Sequence, residues 1–281
     1  MYYIQEIDKP NFIMNIFNII KIRGDKIILP ITNSEISEKK AIKLAKKTKR
    51  ILEKTNCNKL AISKTIKKQE IYVNNLYSFD FKIIDGKWLI KVLSCQILEY
   101  LLSKKNMKKE EAAITILVND ISDIVLENIK QMVQEYKRVN IVTNHIQIFK
   151  RLEEQILEQY GIMITVSNNK KKSLSKAKII LNIDFPTEVL NQYNIYEEAI
   201  IINLRGNVKI NKKRFNGINI NGYEISFNNL DGLDYDKKNL YEKVDIYEAN
   251  ILKNQPFKNI QEKIKFDKVK IVKLAGNRSD L

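Results

Sequence analysis

Five short apolar runs decide how residues 112–205 are read: Ala113-Ile114-Thr115-Ile116-Leu117-Val118, Val139-Asn140-Ile141-Val142-Thr143, Ile162-Met163-Ile164-Thr165-Val166, Ile179-Ile180-Leu181-Asn182-Ile183 and Ala199-Ile200-Ile201-Ile202-Asn203. They are too short to be helices and too continuously apolar for strands with one wet face. Amphipathic segments predicted over 122–136 and 145–160 separate the first three, at βαβ spacing. Each run gives way to polar residues: Asn119-Asp120, Asn144-His145, Ser167-Asn168-Asn169, Asp184 and Arg205. Buried parallel strands read this way, so the fold class is α/β, and ligands of such sheets lie beyond the carboxyl ends of the strands.

The pattern continues on both sides. Upstream, apolar runs flanking Arg23-Gly24-Asp25 predict a hairpin over 12–30, and an amphipathic helix is expected over 37–55. Leu60-Ala61-Ile62 reads as a short strand and 64–84 as irregular or strand-like. Asp85 suits the N-cap of a core helix reaching Ser103. Downstream, Asn221-Gly222 between alternating residues predicts a hairpin within Phe215–Phe227. A helix is expected at Phe257–Lys265 and a strand at Val269–Leu274. The polar connector 106–111 sets the expected boundaries: a mixed α/β domain over 1–107, a mostly parallel sheet over 108–228, and a C-terminal extension over 229–281 that packs back.

The chain has 281 residues, 44% of them hydrophobic, and a formal charge of +16. Such a charge suits an anionic partner. A codon bias that enriches Lys, Ile and Asn together accounts for it better, because the lysines are spread along the chain rather than clustered on one face. The outer face of helix 37–55 carries Lys39, Lys40, Lys43, Lys46, Lys47, Lys49, Arg50 and Lys54, but no interleaved aromatics and no nucleic-acid motif accompany them. Cys57 and Cys95 lack the spacing of a zinc site or a disulfide framework. Phe12–Ile20 is too short to span a bilayer and follows Glu6 and Asp8, where a signal peptide would carry positive charge. A cytoplasmic protein with no membrane partner is the expectation.

The middle third resembles the nucleotide-binding domain of shikimate dehydrogenase and glutamyl-tRNA reductase. Asn140-Ile141-Val142-Thr143-Asn144 is similar to their second strand, and Ser173–Asn182 to the short helix and A-D-I-V-I-N run of their fourth. The resemblance implies a Rossmann-like fold and, in an intact member, NADP-dependent oxidoreductase activity. The residues depart from it in three places. The turn after the first strand, Asn119-Asp120-Ile121-Ser122-Asp123, has no glycine and two acids, whereas a pyrophosphate needs free amides brought close by glycines. His145 stands where the arginine for a 2′-phosphate belongs, and the family's catalytic lysine and aspartate motifs are missing from the N-terminal half. The chain reads as a degenerate relative: no cofactor is predicted, NADP is not expected, and the leaning is away from an enzyme.

Candidate ligand-binding residues are those at the strand ends: Asp120, Asn144, His145, Asn168, Lys170, Lys172, Asp184 and Arg205. His145 could act as a general base, or Asn144 could be an N-cap with Gln147, making His145 the first helical residue. Lys170-Lys171-Lys172 beside Ser173 could hold a phosphate or form a solvated turn. The functional expectation is a non-catalytic protein binding a small anionic ligand or a protein partner. The alternatives are an enzyme with its site at the strand ends and a basic nucleic-acid-associated protein.

Overall fold

The computed structural model describes residues 1–7, 9, 12–32, 35–228, 240–254 and 259–277. They fold as two units, 1–86 with 227–269 and 87–226 with 270–281. The chain passes between them at 86/87 rather than in the polar connector 106–111. The reason is that residues 87–104 are fastened within the second unit: Asn128 Nδ2 donates to the Lys91 carbonyl at 2.6 Å and the Tyr100 hydroxyl to the Val272 carbonyl at 2.7 Å.

The first unit runs β1 (Tyr2–Glu6), α1 (Phe12–Phe17), β2 (Lys21–Arg23), β3 (Lys26–Leu29), α2 (Glu38–Glu53), β4 (Lys59–Ile62), α3 (Lys64–Lys67), α4 (Glu70–Ser78) and β5 (Lys82–Ile84). Its sheet has the order β2-β3-β1-β4-β5 and is parallel except for the edge strand β2. The α2 helix buries Ala41, Leu44, Ala45, Thr48 and Leu52, the stripe that its 3.6-residue periodicity predicts. Two expectations fail here. The hairpin around Gly24 is real, but Phe12–Phe17 is a helix and not its first strand. Residues 64–84 hold two helices and a strand; Ile66 is buried in the first and Tyr72 and Leu76, four residues apart, in the second, a signal that β-branched and Asn-rich neighbours obscure. Helices Lys243–Asn254 and Ile260–Phe266 complete the unit. The expected start of the second at Phe257 lies outside the described residues.

The second unit runs α5 (Lys87–Val92), α6 (Ser94–Lys104), β6 (Ala113–Leu117), α7 (Asp123–Glu135), β7 (Arg138–Val142), α8 (Ile146–Tyr160), β8 (Thr165–Ser167), β9 (Ile179–Asn182), α9 (Thr187–Leu190), β10 (Ile200–Asn203), β11 (Ile218–Ser226) and β12 (Lys270–Gly276). Four of the five apolar runs are strands; of Ile162–Val166 only Thr165 and Val166 lie in β8, and Met163 before them is 80% exposed. Read from β8, the sheet order β8-β7-β6-β9-β10-β11 is third, second, first, fourth, fifth, sixth, the doubly wound Rossmann-like order; β12 adds antiparallel to β11. The order reverses between β6 and β9, which marks their carboxyl ends as the place for a site. The single helix expected over 85–103 is two, interrupted at Leu93, and Gly86 rather than Asp85 precedes its first residue. The short helix expected at Ser173 is a series of turns over 170–176.

Asn221-Gly222 is not a hairpin turn. Both residues lie inside β11, at an irregularity where the strand stops pairing with β10 and continues along β12. Asn221 spends its side chain on Val208 instead, accepting from its amide and donating to its carbonyl, both at 3.0 Å. Just before this strand, Gly217 passes so close to β10 that a Cβ would lie 2.0 Å from the Ala199 carbonyl oxygen. Gly217→Ala should therefore cost about 1–3 kcal/mol of stability through overpacking. Urea denaturation reads this directly, and an unchanged midpoint would contradict the close approach.

Candidate functional site

At the switch point the strand ends are joined by a carboxylate. The Asp184 side chain, just past β9, accepts the Asn119 amide, just past β6, through Oδ1 at 2.9 Å and Oδ2 at 3.0 Å. The Asp120 amide also hydrogen-bonds to this carboxylate. Asn119 passes the connection on: its Oδ1 accepts from the Asn144 amide at 2.8 Å and from the Thr143 hydroxyl at 3.3 Å, beyond β7. Asp120 turns the other way, accepting the Ser122 amide at 2.9 Å and the Lys91 ammonium at 2.6 Å. Burial pushes the Asp184 carboxyl above the ordinary aspartate range, and the Asp120 charge adds to the rise against the pull of the two amides. Partial burial also pulls Asp120 upward, but Lys91 and the Ser122 amide outweigh it and leave that carboxyl below its usual range.

The predicted residues divide into two groups. Asp120, Asn144 and Asp184 converge through Asn119, and Arg205 joins them by donating to the Asp184 carbonyl at 3.3 Å. His145 is next in the chain but exposed, its amide held by Thr143 Oγ1 at 3.0 Å. It occupies the N-cap position with no side-chain cap bond. The expected Asn144 cap with Gln147 is thus displaced by one residue, because Asn119 and Thr143 already hold the chain there. Asn168, Lys170 and Lys172 form the second group, on the exposed stretch 168–172 of a loop that Leu174 anchors in the core. Asn169 shapes it, its side-chain oxygen accepting the amides of Lys171 and Lys172 at 3.0 Å each. Those amides are consequently turned inward on Asn169, and the Lys170 ammonium bonds to Gln192.

Four important residues escape the sequence reading. Lys91 reaches Asp120 from a helix 29 residues away, and no linear signal marks it. Asn182, Asn203 and Asn219 are buried in a side-chain ladder across β9, β10 and β11. Asn182 Nδ2 donates to Asn203 Oδ1 at 2.9 Å, and Asn203 Nδ2 to Asn219 Oδ1 at 2.8 Å and Asn221 Oδ1 at 3.0 Å. The signal was present: Ile179-Ile180-Leu181-Asn182 and Ile200-Ile201-Ile202-Asn203 are near repeats, and the two asparagines are in register. Asn182 also clamps the loop that carries Asp184, accepting the Phe185 amide at 2.9 Å and donating to its carbonyl at 3.0 Å.

Among the described residues no cluster of three or more His, Cys, Asp or Glu is placed to hold a metal ion, and no helix is long and apolar enough to cross a membrane. Cys95 is buried, which together with Glu135 and Glu99 pushes its thiol up to about 12, far from a reactive thiolate. A separate cavity of about 280 Å³ in the first unit is lined by Glu35, Ile36, Lys68, Gln69 and Glu70 among others.

No family model matches the chain, and no curated protein does. Solved structures similar in part include an L-tryptophan dehydrogenase from Nostoc punctiforme (8% identity, 67% of this chain and 53% of that one, TM-score 0.31). A formate dehydrogenase from Granulicella follows at 10% identity, covering 60% and 48%, with TM-score 0.29. A UDP-GlcNAc 2-epimerase from Neisseria meningitidis has 11% identity, covering 74% and 75%, with TM-score 0.25. The chain spans about half the length of the two dehydrogenases. No residue role passes from any of them to this chain.

Two predictions test this geometry. Asn203→Leu removes the centre of the ladder and strands amide groups of Asn182, Asn219 and Asn221, at an expected cost of about 2–4 kcal/mol; exposed Asn168→Ala should cost almost nothing. Chemical denaturation of both variants decides it. The second concerns pH. A carboxyl raised in the folded state binds its proton more tightly there, so its contribution is fully present below the ordinary aspartate pKa and is lost as the pH rises through the folded value. The stability difference between wild type and Asp184→Asn, measured across the acidic range, should therefore shift against the wild type as pH rises. A flat difference would contradict the assignment.

Proposed function

We propose that this protein is a non-catalytic binding protein built on a Rossmann-like sheet, whose ligand is a small anion or a protein partner and not a nicotinamide dinucleotide. The observation that carries this reading is the Asp184 carboxylate seated on the Asn119 and Asp120 amides. Those are the donors that a diphosphate would need at the end of the first strand of a doubly wound sheet. A fixed carboxylate both occupies them and repels a phosphate brought near. Lysines and Arg205 at the rim offer cations to an anion of other shape.

One observation favours a second reading, an enzyme. Asp184 is raised and neighbouring Asp120 lowered, and two carboxyls driven apart in this way suit general acid–base chemistry. Against it, both carboxylates already hold protein donors, and exposed His145 supplies no enclosed partner.

Calorimetry and thermal shift with NADH, NADPH and a panel of phosphorylated and carboxylated metabolites test the proposal. The expected result is no saturable dinucleotide binding at about 1 mM, together with a Tm rise for a smaller anion or for a captured protein. Micromolar binding of NADPH would overturn it. Turnover of any panel compound that disappears in Asp184→Asn would favour the enzyme instead.

A further inference from the structure

The least expected surface lies in the first unit. In α1, Phe12, Ile13, Ile16 and Phe17 are 79%, 58%, 53% and 63% exposed, and only Met14 is buried. Exposed Ile19 and Ile22 extend the patch onto β2. Single apolar residues on a surface are ordinary, but six large ones along eleven residues are not.

The helix is held in place. Lys47 Nζ donates to the carbonyls of Phe17 and Asn18 at 2.8 Å each, and Lys40 Nζ to Asn15 Oδ1 at 3.2 Å. These bonds supply a cation to the carboxyl end of α1 and lay it along one face of α2. At spacings of three and four residues, Lys40, Lys43, Lys47 and Arg50 form the stripe on that face. Lys21 and Arg23, both exposed on β2, border the patch along the chain. Neither 12–23 nor 39–52 contains an acidic residue, and the second stretch alone holds seven basic ones.

We propose that α1 and β2, with the basic face of α2, form a docking surface for an anionic lipid bilayer, with Phe12, Ile13, Ile16 and Phe17 entering the interface. Apolar insertion beside a cationic border is the combination that holds peripheral proteins on anionic membranes. A run too short to cross a bilayer is long enough to lie in its headgroup region. A second copy fits less well: antiparallel pairing of β2 with itself would bring Lys21 and Arg23 against their own kind, and charged edges oppose such pairing. A nucleic acid would use the cations but leave the aliphatic side chains in water.

The test is co-sedimentation of the full chain with vesicles of phosphatidylcholine alone or with about 30% phosphatidylglycerol, at about 0.1 M and 0.5 M NaCl. The expected result is pelleting with the anionic vesicles that weakens at high salt. Phe12→Glu/Phe17→Glu should reduce it about tenfold or more, and Lys43→Glu should reduce it less. Circular dichroism checks that the variants fold, and Ile13→Ser is the milder replacement if the double variant does not. Absence of pelleting with anionic vesicles would overturn the proposal. So would equal binding by the double variant, which would mean adsorption by charge alone. Self-association that the double variant abolishes, without vesicle binding, would assign the patch to a second copy.

Discussion

Everything at the carboxyl edge of the larger sheet is organised by one interaction, the Asp184 carboxylate bridging from β9 to the amides that follow β6. A parallel sheet leaves unpaired amides where its first strand turns into a helix, and the switch point opens a crevice directly above them. In this chain a side chain from the facing strand fills that position. The bond is charge-assisted and sheltered, and losing it would leave two amides and a half-buried carboxylate in need of new partners. Asn119 then ties β7 into the same arrangement through Asn144 and Thr143, so three strand ends act as a unit.

The carboxylate is where it is because Asn182 puts it there. Asn182 ends β9 and binds both backbone polar groups of Phe185, which fixes the two residues between them. Asn182 is in turn oriented by Asn203, and Asn203 by Asn219 and Asn221. Three fully or almost fully buried amides would be costly in an apolar layer if any were left unpaired. Here each finds its neighbour, and the chain of bonds ends on the Val208 carbonyl. Below the ladder the layer is apolar, with Ile180 and Ile201 two residues back on the same face. The network trades packing freedom for geometry, holding two loops to the sheet.

The regular features of this fold were legible because they depend on periodicity. Buried parallel strands are apolar throughout, and the 113–118, 139–143, 179–183 and 199–203 runs could form little else. Helices α2, α7 and α8 show an amphipathic stripe, and Gly161 ends α8 with a φ of +65° as its sequence position suggests. The failures share a cause. Phe12–Phe17 is six residues with a single polar one, Asn15, so periodicity cannot separate helix from strand. Asn221-Gly222 carries a strong local turn preference, but β12, arriving from almost fifty residues downstream, offers a ladder that keeps the strand extended. At the site, the residue types were legible and the pairings were not. The acid that fills the amides was expected from the turn itself, and part of it is, since Asp120 holds Ser122; the larger part comes from Asp184, across the sheet.

Net charge is the property from which a functional reading is most easily drawn and most easily misdrawn. At the switch point two acids stand with two bases: Asp120 pairs with Lys91, and Arg205 donates to the backbone carbonyl of Asp184. The +16 of the whole chain is therefore not concentrated in the crevice itself, where free cations stand only at the rim. The cations are dense instead on α2, where Lys40 and Lys47 bind the end of an exposed apolar helix. Screening limits exposed charges to about 10 Å at ordinary salt, so what an anion senses is the local composition and not the total. An acid-free stretch with apolar side chains beside it is the part of this molecule where positive charge and exposed hydrophobic area act on the same partner.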